Sequence, residues 1–134
     1  MAQDVNGTIK SFKAASGSVP AYRIAVLTAG NTVGVTFTST SVIVGITTND
    51  ASATGQAVGV CLNGTAKCTC GASVSAGALL TAATDTGKCI DATSVLNTTT
   101  TVIPRTIGIA LQTGSTNSVI EVAIIPNNVR VAIA

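Results

Sequence analysis

The sequence predicts an all-β protein, a sandwich or barrel made of two similar β units and preceded by an extended amino-terminal arm. Three observations carry this reading. The 134 residues are 46% hydrophobic but only 2% aromatic. Their apolar content therefore comes from Ala, Val, Ile and Leu, and the β-branched members, joined by abundant Thr, suit pleated sheets and disfavour helices. Turn residues separate short apolar runs at close intervals. Finally, parts of the first half recur in the second, the sign of an internal repeat.

Residues 1–21 combine Gly7, Ser11, Ser16, Gly17, Ser18 and Pro20 with few apolar positions, the composition of an arm or tether. Within it Thr8-Ile-Lys-Ser-Phe-Lys13 alternates weakly, which suits a strand added to another protein's sheet; a disordered leader is the alternative. Residues 22–134 form the β domain. Arg23–Leu27 and Val33–Thr38 flank an Ala-Gly corner, and Val42–Ile46 leads into the polar loop Thr47–Gly55. Ala57–Leu62 is a nearly continuous apolar strand, Asn63-Gly64 turns it, and Ala66–Cys70 returns.

Gly71–Leu80 reads as a second corner. Displaced by 47 positions it overlays the first, with Leu27 on Val74 and Gly30 on Gly77. Asp85-Thr-Gly87 is a turn, Lys88–Ala92 a short strand and Thr93–Thr101 a Thr-rich loop. Ile107-Gly-Ile-Ala110 repeats Val44-Gly-Ile-Thr47 at a displacement of 63, and Val119–Pro126 resembles Gln56–Asn63. In that last run Ile120, Val122 and Ile124 share one face and Glu121 takes the other. Asn127-Asn128 turns into a closing strand, Val129–Ile133. The repeat-like halves are about 22–70 and 71–134, with the stretch at 71–80 as the hinge.

A chain of this mass holds one core, burying roughly two thirds of its unfolded surface. Charged residues make up only 9%, against about 25% in an ordinary soluble domain. So weakly protected a surface suits a subunit of an assembly. No apolar run approaches the ~18–20 residues of a spanning helix. The first residues lack the basic and apolar regions of a secretory signal, so assembly in the cytoplasm is expected. Residues 1–23 carry Lys10, Lys13 and Arg23 against Asp4, and the remainder balances to zero. A mildly basic arm on a neutral body is not a nucleic-acid footprint, and no membrane partner is expected.

The chain has no His, which excludes Ser-His-Asp and Cys-His catalysis, and its five carboxylates are scattered. No enzyme, cofactor or metal is expected. Asp85-Thr-Gly-Lys88 resembles the tail of a phosphate loop, but Ala82 stands where its first Gly belongs and Cys89 replaces its Ser or Thr. Cys61, Cys68, Cys70 and Cys89 admit three readings: a tetrahedral zinc site, disulfides formed after release from the cell, or free buried thiols acting as small hydrophobes. The paired Cys-x-x-Cys knuckles of zinc sites are missing.

With these elements laid out, the chain resembles bacteriophage head-decoration proteins, also called capsid cement proteins. The matching residues are Leu27–Gly30, Val44–Thr47, Val74–Gly77, Ile107–Ala110 and Ile120–Ile124, in that order, over roughly residues 21–126. The four cysteines, the Thr-rich loop and the tail depart from the family. The resemblance implies a small β-barrel or β-tulip and homo-oligomers, commonly trimers. It also implies a place on the outer capsid surface of the virion, over capsomer junctions, with the major capsid protein as partner. Ile9, Lys10, Phe12, Lys13, Tyr22 and Arg23 are then the candidate capsid contacts, docking by strand addition. Deleting residues 2–20 is expected to abolish binding and leave the β body folded. The alternative is a phage head-fibre or adhesion module binding host-surface glycans, for which three rings make a poor platform.

Overall fold

The computed structural model describes residues 5–15, 17–37, 41–84, 86–92 and 105–127. The Thr-rich loop and the closing strand Val129–Ile133 expected from the sequence lie outside these residues. The described chain is all-β. Its strands are β1 (Val5–Asn6), β2 (Ile9–Ala14), β3 (Ile24–Ala29), β4 (Thr32–Gly34), β5 (Val42–Thr47), β6 (Ala57–Cys61), β7 (Gly64–Thr69), β8 (Leu79–Ala82), β9 (Cys89–Asp91), β10 (Thr106–Ala110) and β11 (Val119–Asn127).

Strands β2-β4-β3-β5-β6 form a closed barrel, and a second sheet runs β1-β7-β11-β10-β8-β9. The two share one plan. Replacing β2 to β6 by β7 to β11, in chain order, converts the barrel order into that of the second sheet, with β1 added outside β7. The barrel closes where β2 runs parallel to β4, through Lys13↔Thr32 and Ala14↔Val33. The second unit has at the same place a single parallel bridge, Cys70↔Cys89.

The likeness extends to single bonds. Val19↔Ala51 and Val74↔Gly114 are corresponding antiparallel bridges. Tyr22 (φ 61°) and Gly77 (φ 88°) take the same left-handed turn, their N–H groups donating to the carbonyls of Thr47 and Ala110. Asn49 Oδ1 accepts from the Gly59 N–H at 2.7 Å, as Gln112 Oε1 accepts from the Glu121 N–H at 2.9 Å. The recurring Gly-Ile also has a steric cause. A Cβ on Gly45 would collide with the Cys61 carbonyl, and one on Gly108 with the Ala123 carbonyl.

Two sequence expectations are corrected here, for one reason. Residues 9–14 are not an arm but the first strand of the first unit, paired antiparallel with β6 from Ile9↔Cys61 to Lys13↔Ala57. Likewise β7 is not the return of the first half but the opening strand of the second. The units divide at Leu62–Asn63 and not at residue 70, so the stretch at 71–80 is an internal corner and not the hinge.

In place of the one core expected from the chain's mass there are two, and both follow from strand alternation. Phe12, Ala14, Val19, Ala25, Val33, Ala51, Val58 and Val60 fill the first barrel. On the opposite pleat of β3 and β5, Ile24, Val26, Ile43 and Ile46 face away from it and join the interior of the second unit, with Cys68, Leu80, Ile107 and Val122. Strand β3 is thus buried on both faces at Ile24, Ala25 and Val26, which accounts for its unbroken apolar run. Backbone bonds cross between the units: Ile24 N–H to the Gly87 carbonyl and Phe37 N–H to that of Thr84, both at 2.7 Å.

Candidate docking surface

The fold divides the six sequence-predicted contact residues into three groups. Ile9, Lys10 and Lys13 are exposed on β2. The ladder there alternates: the Ala14 N–H donates to the Gln56 carbonyl beyond β6, whereas those of Lys13 and Ala15 donate to Asn31 and Val33 on the β4 side. By the same two-residue period the N–H groups of Ile9 and Ser11 point toward the β4 side. Of the β2 residues, strand β4 pairs only with 13 and 14. Among the described residues, the β2 edge at 9–11 is therefore an open ladder, with Ile9 51% exposed. In the second unit the corresponding edge, Thr65–Ala66, is filled by β1.

Phe12 is not on the exposed face of β2. It lies in the barrel core at 7% exposure, because it shares the inward face of β2 with Ala14. Lys10 sits over its ring, Nζ 4.9 Å from the centroid, and also donates to Asn31 Oδ1 at 3.4 Å. The buried Phe12 ring therefore lies beneath the Lys10 ammonium.

Tyr22 and Arg23 are half-buried where the units meet. The Tyr22 carbonyl accepts from the Thr69 N–H at 2.9 Å. Arg23 donates through Nη1 to the Thr86 carbonyl at 3.0 Å, while its buried Nε has no hydrogen-bond partner among the described residues. It lines an open cleft of about 420 Å³ with Ser18, Pro20, Val35, Thr36 and Thr86. The structure does not bring this pair to the β2 edge, so the six residues are not one surface.

A second exposed feature was missed by sequence reasoning. Leu79, Ile109 and Ala123 lie in register across β8, β10 and β11, and Leu79, Ile109, Leu111, Val119 and Ile125 are exposed, Ile125 to 61%. The signal was there in the odd-numbered positions of β11, where Val119 and Ile125 flank Glu121. The inward face is as expected, with Ile120, Val122 and Ile124 all buried.

The thiols are free and buried. Burial pushes the Cys70 thiol up to about 12, with the neighbouring Cys89 adding to it. Cys89 is raised by its hydrogen bond with Cys68 and by burial, and Cys61 by burial. Among the described residues no group of three or more His, Cys, Asp or Glu is placed to hold a metal ion.

No family model matches the chain, and no curated protein matches it. Among solved structures it is similar to the head fiber gp8.5 N base of bacteriophage phi29. The TM-score is 0.61 over 88% of this chain and 93% of that one, at 14% identity. At that identity the likeness is one of fold. It places the two-unit β architecture among known structures and leaves the surface residues to be argued on their own.

Proposed function

We propose that the chain is a structural protein of a bacteriophage virion that binds the outer surface of the capsid and ties neighbouring coat subunits together. The observation that carries this reading is the fold likeness to a phage head-fibre base over nearly the whole of both chains. The cadence shared with head-decoration proteins, argued from different residues, supports it. The described surface adds a means: the open β2 edge at Ile9–Ser11 accepts a strand of coat protein, with Lys10 and Lys13 beside it for an acidic partner. The apolar face of Leu79, Ile109 and Ile125 serves self-association into a homo-oligomer, a trimer in the decoration reading. Several weak contacts per oligomer then give avidity against the outward pull on capsomers.

A second reading, the base of a head fibre, is favoured by that same structural likeness. Both readings need capsid binding and differ in its effect. Heads lacking the protein are incubated with it, sedimented and quantified on gels, then heated to release DNA. Saturable binding with a raised release temperature supports cement; saturable binding with an unchanged temperature supports a fibre base. No co-sedimentation sinks both, and glycan-array binding by the free protein would move the chain to the adhesion alternative.

A further inference from the structure

The first unit closes along a seam of two strand pairs, held by the Lys13 and Ala15 N–H groups donating to the Asn31 and Val33 carbonyls, both at 2.8 Å. The seam of the second unit is thinner. The Thr69 N–H, which corresponds to that of Lys13, goes instead to the Tyr22 carbonyl of the first unit. What remains is the Gly71 N–H to the Cys89 carbonyl at 2.8 Å and the single bridge Cys70↔Cys89. Cysteines stand on both sides of that bridge, where the first unit has Ala14 and Val33. Their Sγ atoms are 4.0 Å apart, and both side chains are fully buried. Neighbouring strands lie about 4.7–4.9 Å apart, within the ~4.4–6.8 Å Cα separation that a disulfide spans. Bringing the two sulfurs into bonding distance therefore asks mainly for side-chain rotation.

We propose that Cys70 and Cys89 form a disulfide that clasps the seam of the second unit. The bond forms by exchange with a small-molecule disulfide. One cysteine thiolate attacks it, displacing one thiol and leaving a mixed disulfide, and the second cysteine displaces the other thiol. Two S–H bonds and the reagent's S–S bond are broken, two electrons pass to the reagent, and both protons end on the released thiols. Because both thiols are buried and thiolate is scarce in the folded state, the exchange belongs to folding or to transient opening of the seam. Cys68, in β7 two residues before Cys70, is the competing partner, but its thiol also donates to the Thr69 carbonyl at 3.8 Å. The inference does not depend on the function proposed above.

The test is refolding with oxidised or reduced glutathione. The oxidised product is expected to be lighter by two hydrogens, with peptide mapping placing the link between Cys70 and Cys89. Its thermal midpoint should rise by roughly 10 °C, because the link constrains the unfolded chain. A C70A/C89V variant gives the second seam the side chains of the first; it is expected to melt near the reduced wild type and to lose the redox response. Cys68→Ala should keep the link. Four titratable thiols after oxidative refolding, or a link mapped to Cys68 or Cys61, overturns the proposal whether or not the variants fold.

Discussion

Gly108 shows how much of the repeat is dictated by one missing methyl group. Its φ of 154° and the Ala123 carbonyl against it leave no room for a side chain. Gly108→Ala is therefore expected to lower stability by roughly 2–4 kcal/mol, read as a shift of the urea midpoint. Phe12 is a buried anchor, and Phe12→Ala should cost about 3–5 kcal/mol by the same measurement, far more than Lys10→Ala. The thiols give a pH dependence. Cys70 holds its proton up to about 12 when folded, against an ordinary value of 9.0. Between those values the unfolded chain releases a proton that the folded chain keeps, so stability falls as pH rises above about 9. Reduced wild type is expected to lose more stability between about pH 8 and pH 11 than C70A/C89V, compared by thermal melting.

At the scale of elements, β2 changes how the docking idea must be tested. Deleting residues 2–20 removes a barrel strand together with Val19, itself fully buried, and is expected to unfold the first unit, visible as lost β-sheet circular dichroism. Ser11→Pro is the sharper probe. It removes an N–H that faces away from β6 and leaves the β2·β6 ladder intact; folding should survive, and co-sedimentation with phage heads should drop at least tenfold if a coat strand adds there. The sequence concealed this strand because only Phe12 and Ala14 of its six residues face inward, so the rest reads as a polar tether. It disclosed the Gly-Ile strands readily, since the carbonyls opposite Gly45 and Gly108 tolerate nothing else. The corner was misaligned for an equally physical reason. The true counterpart of residues 71–78 is 15–23, where Tyr22 occupies the left-handed position that Gly77 marks openly. An Ala-Gly in the β3–β4 hairpin, at Ala29-Gly30, supplied a closer but unrelated match.

For the whole molecule, the outward face of β8, β10 and β11 carries the expectation about assembly. An I109E/I125E variant keeps the buried face intact and is expected to shift native mass from oligomer to monomer while the thermal midpoint of the monomeric fold moves little. A monomeric wild type would remove this face from the functional proposal. The candidate surface was only partly legible because side chains that point outward obey no packing rule. Phe12 and Arg23 were selected for their chemistry, and only the fold separates the buried ring from the exposed Lys13.

The division of the chain at Leu62–Asn63 also sets an order of events during synthesis. All five strands of the closed barrel precede it, so the first unit has its partners as soon as Cys61 leaves the ribosome. The second unit must wait, because β7 pairs along its length with β11, the last described strand. Val5 and Asn6 precede the barrel strands in the chain yet pair with β7, so their place exists only after β7 has emerged. A chain interrupted after residue 62 thus holds every strand of the barrel, with β1 still unpaired and the outward side of β3 bare. Such a chain leaves a row of Ile24, Val26, Ile43 and Ile46 that the second unit covers once it is made.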